Sequence, residues 1–502
     1  MTGVEVADAG ASRLRVLTGA LGSLLHSELG HALGRGTPVG ETSRRRARDV
    51  RRTLEGLGPF YVKMGQILST RPDIVSDEMI NELRTLHDTA SVRPFEEFEP
   101  VLHDELGPRW RSRFRDVDTT RPLGAASLAQ VYAATMPDGQ PVVIKVQRPG
   151  IAPVVEADMR LLRRAVRLFS RFAPTLTELI DLEAMLGMLF DAMRAELDLT
   201  VEARQMDQVR ADVADFKHLD VPEVLLVTPR VMIQSRAPGR SIRDVDPAEF
   251  PTAERMAIGR DLMAFMYRSY LTTRVFHADP HPGNIFVCPG QKASLLDWGM
   301  IGRIDRRTSH AVLMLLLNIS MNDGQGAARA WIGMGRATGQ ADVPAFQNDM
   351  EALVPKLTTA SLKELDFGLT FTSVLKSSTK RGIRTNPAIA VLGKSFANLD
   401  GSIRYLAPEL STAEVFRDEL RTLTTDLLTE TLSDQHVART ALELLTVDDA
   451  VVQSQTVLRD LANGQLQLRL PTPAPTDKRR GKICLILGAA LAGFLWRRKP
   501  PR

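Results

Sequence analysis

Cysteine is scarce in this sequence of 502 residues. The two that are present, Cys288 and Cys484, lie far apart, the first in a strand-like run and the second in an apolar tail. A disulfide framework is therefore not predicted, and a reducing compartment such as the cytoplasm is expected. A secretory signal at the start and an internal repeat are also missing, so the sequence predicts neither a secreted protein nor a repeat architecture.

An excess of positive charge is missing from most of the chain. The 64 Lys and Arg exceed the 60 Asp and Glu, but residues 478–502 contain eight of the basic residues and no acidic one. Without that segment, 56 basic residues (64 − 8) stand against 60 acidic ones, a net charge of −4. The composition therefore predicts no nucleic-acid partner. Basic residues around an apolar stretch favour anionic lipid instead.

A hydrophobic run that easily crosses a membrane is missing as well. The apolar part of the tail, 483–496, has 14 residues and would extend about 21 Å as a helix, against a hydrocarbon core of about 30 Å. The tail predicts membrane attachment, and both a span through a thinned bilayer and a surface position stay open. A second helical pattern at 14–29 is expected to pack on the protein body or lie on a membrane surface.

Periodicity and turn residues predict the secondary structure in outline. The predicted helices are 42–70, 76–87 with Ser76 as its cap, and a helical run over 154–210. The predicted strands are 131–136 and 141–146, which form a hairpin, followed by 224–227 and 231–234. After residue 251 the chain is expected to be mainly helical, apart from one short hairpin near 285–296.

Two motifs in the strand-rich part indicate phosphate chemistry. Gly124-Ala125-Ala126-Ser127 is a small-residue loop between strands, where main-chain N–H groups can approach phosphate oxygens closely. Lys145 ends a V-V-I-K run, similar to the V-A-I-K strand that places a lysine on nucleotide phosphates. Each signal is weak alone, because most small-residue loops are only turns and most strand lysines face solvent.

Two further motifs lie close together. Asp279 and Asn284 have the spacing of H-R-D-x-x-x-x-N, in which the Asp orients or deprotonates the nucleophile and the Asn binds magnesium. Asp297 stands in an L-L-D-W-G sequence that is similar to D-F-G. Because strand-like runs flank a P-G-Q-K turn between them, a hairpin should bring Asn284 and Asp297 to the same end. Both can bind Mg²⁺ there through oxygen.

Three further patterns in the C-terminal half are interpreted as structural or coincidental. His277 and His281 lack a third ligand for zinc and are expected to be structural. Gly393-Lys394-Ser395 is similar to the end of a P-loop, but position 388, where that motif needs its first glycine, is alanine. An A-P-E sequence at 407–409 lies more than a hundred residues after Asp297, too far for its usual role.

Three features together give the chain a specific resemblance. Lys63-Met64-Gly65-Gln66 forms K-x-G-Q on a predicted helix, and Glu196-Leu197-Asp198 forms E-x-D. The small-residue loop is alanine-rich where most kinases have glycine. Over roughly residues 55–300 the chain therefore resembles the UbiB-like (aarF-domain) atypical kinases, whose members support quinone and other isoprenoid-lipid metabolism.

The resemblance implies an α+β fold, namely a bilobal protein-kinase-like fold with an N-terminal helical extension and a mostly helical C-lobe. The predicted segments are 1–110 for the extension with K-x-G-Q, 111–235 for the N-lobe with the alanine-rich loop and the E-x-D helix, 236–410 for the C-lobe, 411–476 for a helical region with a Pro-rich spacer, and 477–502 for the membrane-associating tail.

The resemblance also implies ATP and Mg²⁺ as cofactors and gives the matched residues their roles. The loop 124–127 should cover the phosphates, and Lys145 should contact the α- and β-phosphates. Lys145 should also pair with a helix carboxylate, for which Glu202 is favoured and Glu196 is the competitor.

Lys63 and Gln66 should cover the active site from outside, and Lys63 should meet Glu196 or Asp198. Their i, i+3 spacing places Lys63 and Gln66 on one helix face. Tyr132 and Trp298 depart from the family pattern, and both are expected near the nucleotide.

The expected function is that of an atypical kinase or ATPase that supports quinone or other isoprenoid-lipid metabolism at the membrane, with its catalytic domain in the cytoplasm. The expected partners are a membrane lipid or isoprenoid-like molecule and a lipid-biosynthetic protein complex. A peptide platform is not expected, because few residues separate Asp297 from the helical run near Thr308.

Two alternatives stay open. The first is a soluble phosphotransferase of the aminoglycoside-kinase type, against which the K-x-G-Q helix and the basic tail count. The second is a nucleotide-binding pseudokinase scaffold, against which the retained Lys145, Asp279, Asn284 and Asp297 count.

Overall fold

The computed structural model describes residues 39–69, 75–83, 85–86, 91–172, 182–337, 341–359 and 367–431. The segments predicted to meet a membrane, 14–29 and 483–496, lie outside these ranges. Within them, no helix is both long and apolar enough to cross a membrane. The described residues as far as Phe416 belong to one compact unit, and those from Arg417 belong to a second unit.

The α-helices, in chain order, are α1 (Val39–Leu57), α2 (Pro59–Leu68), α3 (Asp77–Leu83), α4 (Glu99–Leu106), α5 (Ile151–Phe172), α6 (Leu182–Glu196), α7 (Leu199–Val213), α8 (Thr252–Arg268), α9 (Arg306–Ser320), α10 (Gly324–Gly333), α11 (Val343–Thr359), α12 (Phe367–Lys380), α13 (Pro387–Leu406) and α14 (Thr412–Thr431).

The β-strands, in chain order, are β1 (Asp116–Val117), β2 (Gly124–Ala125), β3 (Ala129–Thr135), β4 (Pro141–Gln147), β5 (Leu219–Asp220), β6 (Val224–Val227), β7 (Val231–Ser235), β8 (Arg240–Ser241), β9 (Val275–His277), β10 (Ile285–Val287), β11 (Ala293–Leu295), β12 (Ile301–Arg303), β13 (Gly335–Ala337) and β14 (Ile383–Thr385).

A six-stranded sheet forms the N-lobe. Its order is β1-β3-β4-β7-β6, with β2 on β3, and the predicted hairpin of β3 and β4 is confirmed by an antiparallel register that pairs Val131 with Lys145. One face of β4 carries Val142, Ile144 and Val146 into a hydrophobic core. Because side chains alternate along a strand, Lys145 emerges on the opposite face.

The N-terminal helices differ from the single helix predicted over 42–70. The helix ends at Leu57, Gly58 adopts φ 104°, and α2 begins at Pro59. Glycine reaches positive φ at little cost, and proline fits the first turn of a helix, so Gly58-Pro59 separates α1 from α2. The helix predicted over 76–87 is shorter than expected, since α3 ends at Leu83, while the Ser76 hydroxyl accepts from the Met79 amide as the predicted cap.

The helical run predicted over 154–210 is also divided. It contains α5, α6 and α7. The break between α6 and α7 falls at Leu197-Asp198, where the Asp198 carboxylate caps the new helix by accepting from the Thr200 amide at 3.0 Å. A side chain that caps a helix start satisfies an N–H that has no partner inside the helix.

The C-lobe holds the predicted hairpin, β10 and β11, in a four-stranded sheet of order β5-β11-β10-β8. The expectation of a single hairpin after residue 251 was wrong, because two more antiparallel pairs are present, β9 with β12 and β13 with β14. These strands have three residues each, too short for the alternation of apolar and polar residues to mark them in a sequence. The pair β9–β12 brackets the segment that carries Asp279, Asn284 and Asp297.

Candidate active site

The centre of the site is an ion pair between the N-lobe sheet and α7. Lys145 Nζ lies 2.7 and 2.9 Å from the two carboxylate oxygens of Glu202. Glu202 is 4% exposed, so little water screens the pair. Of the two carboxylates considered for Lys145, the structure therefore selects Glu202. Burial favours the neutral amine of Lys145, but Glu202 and Asp297 outweigh it and raise the pKa of Lys145.

The catalytic loop and its hairpin bring the predicted magnesium ligands together. Ile285 pairs with Leu295, and the Leu296 amide donates to the Asn284 carbonyl at 2.8 Å, so Asn284 and Asp297 reach the same end of the hairpin. The Asn284 side-chain nitrogen donates to the Asp279 carbonyl at 3.2 Å. Because the nitrogen donates to that carbonyl, Oδ1 is the amide atom that can bind a cation.

Asp297 occupies an unusual backbone conformation. Its φ is 56°, in the left-handed region, where Asp and Asn are the most tolerated residues after Gly. Its side chain is 54% exposed, and its carboxylate lies 3.7 Å from Lys145 Nζ. Desolvation opposes ionisation, but Lys145 and Lys63 outweigh it and lower the pKa of Asp297 to about 2. The carboxylate is therefore ionised and faces the cleft, as a cation ligand requires.

The two histidines of the loop have structural contacts, as the sequence suggested. The Asp279 amide donates to His277 Nδ1 at 3.1 Å, so His277 carries its proton on Nε2 and donates to the Leu296 carbonyl at 3.0 Å. Burial lowers the pKa of His277 and keeps the ring neutral. His281 Nδ1 accepts from the Gly283 amide at 3.0 Å. Among the described residues, no cluster of three or more His, Cys, Asp or Glu is arranged to hold a metal.

The two aromatic departures do not line the cleft. Tyr132 pairs across the sheet with Ile144, on the face opposite Lys145, and its ring contacts Phe95 edge-on at 4.9 Å. Trp298 is fully buried against His277, 4.7 Å away, and its indole N–H donates to the Leu295 carbonyl at 3.2 Å. The expectation that both lie near the nucleotide was wrong for Tyr132, which is buried on the sheet face opposite Lys145. Trp298 directly follows Asp297 in the sequence, and its ring is buried beside His277.

The alanine-rich loop is a tight extension of the sheet. Gly124 and Ala125 pair with Val131 and Gln130, and the Ala126 amide donates to the Ala129 carbonyl at 2.9 Å, which places Ser127 at the tip. Neither Ala125 nor Ala126 has a positive φ. Alanine therefore suffers no steric strain in this loop.

Arg148, which sequence reasoning missed, contacts the main chain of the alanine-rich loop. Its Nε donates to the Ala126 carbonyl at 2.8 Å, and its terminal nitrogen donates to the Ser91 carbonyl at 2.9 Å. Arg148 is 5% exposed. Buried charge usually marks a specific partner, but the sequence carries no signal that distinguishes Arg148 from any other arginine at a strand end.

The K-x-G-Q helix, α2, contacts the site through Lys63. Its ammonium forms an ion pair with Glu196 at the end of α6, and the two side chains are 12% and 17% exposed. Gln66 donates to the Leu86 carbonyl at 3.3 Å. Gly65 is required by packing, because a Cβ there would lie 3.0 Å from a methyl carbon of Leu54 and closer still to Leu86.

The E-x-D motif divides its two carboxylates between different tasks. Glu196, not Asp198, meets Lys63. Asp198 faces its own helix, where it accepts from the amide and the hydroxyl of Thr200 at 3.0 and 2.7 Å. Asp198 therefore fixes the residue at which α7 begins. Because Glu202 lies in the first turn of α7, this also fixes the position of Glu202 relative to Lys145.

Two residues of α13 also reach the site, and the sequence analysis missed both. Lys394 Nζ lies 3.2 Å from Asp279 Oδ2, and the Asn398 amide donates to Asp279 Oδ1. Burial would raise the pKa of Asp279, but Lys394, His281 and Lys63 outweigh it, and the pKa lies below its ordinary value. Lys394 belongs to the sequence rejected as a P-loop, and the structure agrees with that rejection, since it lies within a helix.

The residues present fit a nucleotide with magnesium. Magnesium is usually held by one or two carboxylates together with phosphate oxygens and waters, and Asp297 with Asn284 Oδ1 supplies that protein share. Lys145 offers a cation 3.7 Å from Asp297, which could neutralise phosphate charge when a nucleotide is bound. The fold and the site together define a kinase-like protein with two lobes.

Comparison with known proteins gives the family. Residues 85–330 match the family described as ABC1 atypical kinase-like domain. The chain is 29% identical over 380 residues to the probable protein kinase UbiB of Marinobacter nauticus, which covers 74% of this chain and 69% of that protein. It is 29% identical over 364 residues to slr0889 of Synechocystis sp., covering 70% of this chain and 88% of that protein.

Among solved structures, Rv3197 from Mycobacterium tuberculosis, determined with erythromycin, matches with a TM-score of 0.53 at 20% identity, over 76% of this chain and 96% of that one. This likeness supports the fold. Residues 85–330 therefore belong to the ABC1, or UbiB-like, atypical kinase family.

Proposed function

We propose that this protein binds Mg·ATP in the cleft between Lys145 and Asp297 and transfers the γ-phosphoryl group to water or to a small lipid-like acceptor. The carrying observation is the convergence of Lys145, Glu202 and Asp297 from three separate elements, beside Asp279 and Asn284. A partly buried lysine paired with a buried carboxylate, next to an ionised and exposed aspartate, suits the phosphates of a nucleotide.

Each residue has a defined task in this proposal. Glu202 orients Lys145, which neutralises charge on the phosphates. Asp297 and Asn284 Oδ1 hold Mg²⁺, which when bound would stabilise negative charge on the phosphoryl oxygens. Asp279 orients the attacking hydroxyl or water and accepts its proton.

We further propose that the reaction takes place at a membrane, with the catalytic unit in the cytoplasm, and supports quinone or another isoprenoid lipid. Support comes from the relatives named UbiB and from the basic, apolar segment 478–502. The acceptor would then be a membrane lipid or isoprenoid-like molecule, and the partner a lipid-biosynthetic complex. The family match favours this reading over a phosphotransferase of the aminoglycoside-kinase type.

The test is ATP turnover by the purified full chain, with and without liposomes that contain anionic lipid, beside Asp297→Asn. Asparagine is suited to this variant because it also tolerates the left-handed backbone of residue 297, so the fold should persist. The expected result is Mg-dependent release of ADP that liposomes increase, and loss of Mg-dependent nucleotide binding in the variant.

Undiminished Mg·ATP affinity in a folded Asp297→Asn protein would contradict the metal assignment. Nucleotide binding without turnover under every condition would favour the pseudokinase scaffold instead. The melting temperature of both proteins is the control for folding.

A further inference from the structure

One face of α13 lies against the catalytic loop. The four residues of that face, spaced i, i+1, i+4 and i+8, are Lys394, Ser395, Asn398 and Ser402. All four form polar contacts with residues 277–280. This spacing is that of a single helix face, so the contacts come from one surface of one rigid element.

The two serines fasten α13 to the main chain of the loop. Ser395 Oγ donates to the His277 carbonyl at 2.6 Å, and Ser402 Oγ lies 2.9 Å from the Pro280 carbonyl. Both serines are fully buried. The Tyr270 hydroxyl, 2.8 Å from Ser395 Oγ, adds a third group. Buried hydroxyls with satisfied partners hold a definite geometry, since breaking them strands a polar group.

The other two residues, Lys394 and Asn398, both contact the carboxylate of Asp279. Lys394 Nζ lies 3.2 Å from Oδ2, and the Asn398 amide donates to Oδ1. The exposed fractions of the Lys394 and Asp279 side chains are 24% and 23%. Each carboxylate oxygen therefore has its own partner, and both partners come from α13, more than a hundred residues away in the chain.

We propose that Lys394 and Asn398 are positioning residues that set the carboxylate plane of Asp279 for phosphoryl transfer. The terminal torsion of an aspartate is broad and roughly two-fold, so an unheld carboxylate presents its oxygens in many directions. A proton acceptor must lie within hydrogen-bond reach of the attacking group, and small misplacements reduce the rate strongly. Two donors, one for each oxygen, remove that freedom.

Lys394 also contributes to the balance of charge in the cleft. Asp279, Asp297, Glu196 and Glu202 bring four carboxylates to the cleft, and Lys145, Lys63 and Lys394 bring three ammonium groups. Lys394 forms the ion pair with Asp279, whereas Lys63 pairs with Glu196 and Lys145 with Glu202. The inference rests on the proposed function, because it needs Asp279 to act on the attacking group.

The experiment measures Mg·ATP turnover by the full chain and by four variants. Lys394→Met removes the charge at similar length, Lys394→Arg keeps it, and Asn398→Ala removes the amide. Lys356→Met, at an exposed lysine of α11, is the matched control. Lys394→Met should lower kcat roughly 10- to 100-fold, while KM and the nucleotide Kd stay within about twofold.

Lys394→Arg should retain most of the wild-type kcat. The kcat of Asn398→Ala should lie between that of the wild type and that of Lys394→Met. A purely structural role would instead lower the melting temperature and move KM with kcat. In an Asp279→Asn background, Lys394→Met should cause no further loss, since the residue it positions has already lost its function.

The two proposals fail in different ways. If Asp279→Asn turns over like the wild type, the proposed function is wrong. If Asp279→Asn is inactive while Lys394→Met keeps full kcat or exceeds it, the positioning role is wrong. Crystal structures of wild type and Lys394→Met give a readout without turnover, and an unmoved Asp279 carboxylate in the variant overturns the inference.

Discussion

The contact between Lys63 and Glu196 should determine how readily α2 leaves the active site. The two side chains are 12% and 17% exposed. The free energy that the pair contributes should therefore fall between that of exposed ion pairs, about 0.2–1 kcal/mol, and that of charge-assisted hydrogen bonds, about 1.5–3 kcal/mol. About 1.5 kcal/mol is a reasonable value, which corresponds to roughly a tenfold change in an equilibrium constant. Lys63→Met should shift the balance towards the open arrangement by about that factor.

The assay is hydrogen exchange of the α2 amides, followed with and without Mg·ATP. Exchange over Pro59–Leu68 should become about tenfold faster in Lys63→Met, because local opening sets the exchange rate. Glu196→Gln should have the same effect, and the double variant should add little to either change. Turnover should change, or self-phosphorylation should appear, while Mg·ATP affinity is retained.

Two results would refute this reasoning. Unchanged exchange in α2 would show that the ion pair does not hold the helix. A loss of Mg·ATP binding in Lys63→Met as complete as in Asp297→Asn would make Lys63 part of the binding machinery and not a restraint on access.

Three other changes test separate parts of the structure. Gly65→Ala should destabilise the protein by about 1–3 kcal/mol through overpacking against Leu54 and Leu86, measured by denaturant unfolding, whereas Gly56→Ala, where a Cβ meets no atom within 4 Å, should not. Ala125→Gly should change ATP affinity and raise self-phosphorylation by loosening the paired loop, and equal titrations with no new radiolabel would show that the loop is only a turn. Deletion of 478–502 should move the protein from the membrane to the soluble fraction, and retention on membranes would direct attention to 14–29.

The sequence predicts those parts of the site that depend on short spacings. Asn284 and Asp297 are joined by a hairpin whose turn and strands are legible in the sequence, and the structure brings them to one end. Lys145 on its strand and Glu202 on a following helix could be matched by motif. Choosing Glu202 over Glu196 needed the register at which Asp198 starts α7.

Contacts across long separations could not be predicted in this way. Lys394 and Asn398 reach Asp279 only because α13 packs on the catalytic loop, and no local pattern reveals which surface a helix will face. Arg148 looked like any strand-end arginine until the loop that it holds was visible. The break at Gly58 was a missed turn signal, since Gly-Pro within a helical pattern usually marks a boundary.

The burial of Trp298 limits the conformations open to the D-x-G segment, where packing of the central aromatic usually decides between active and inactive forms. Removing a tryptophan from such a place exposes about 200 Å² of mostly apolar surface, which costs about 5 kcal/mol. Fewer than about one molecule in a thousand would then hold the ring outside at equilibrium. Any inhibitor that requires the displaced ring would lose affinity by the same factor. Compounds that accept the segment as it stands, and compete for the cleft at Lys145, are the better starting point for chemical probes of this protein.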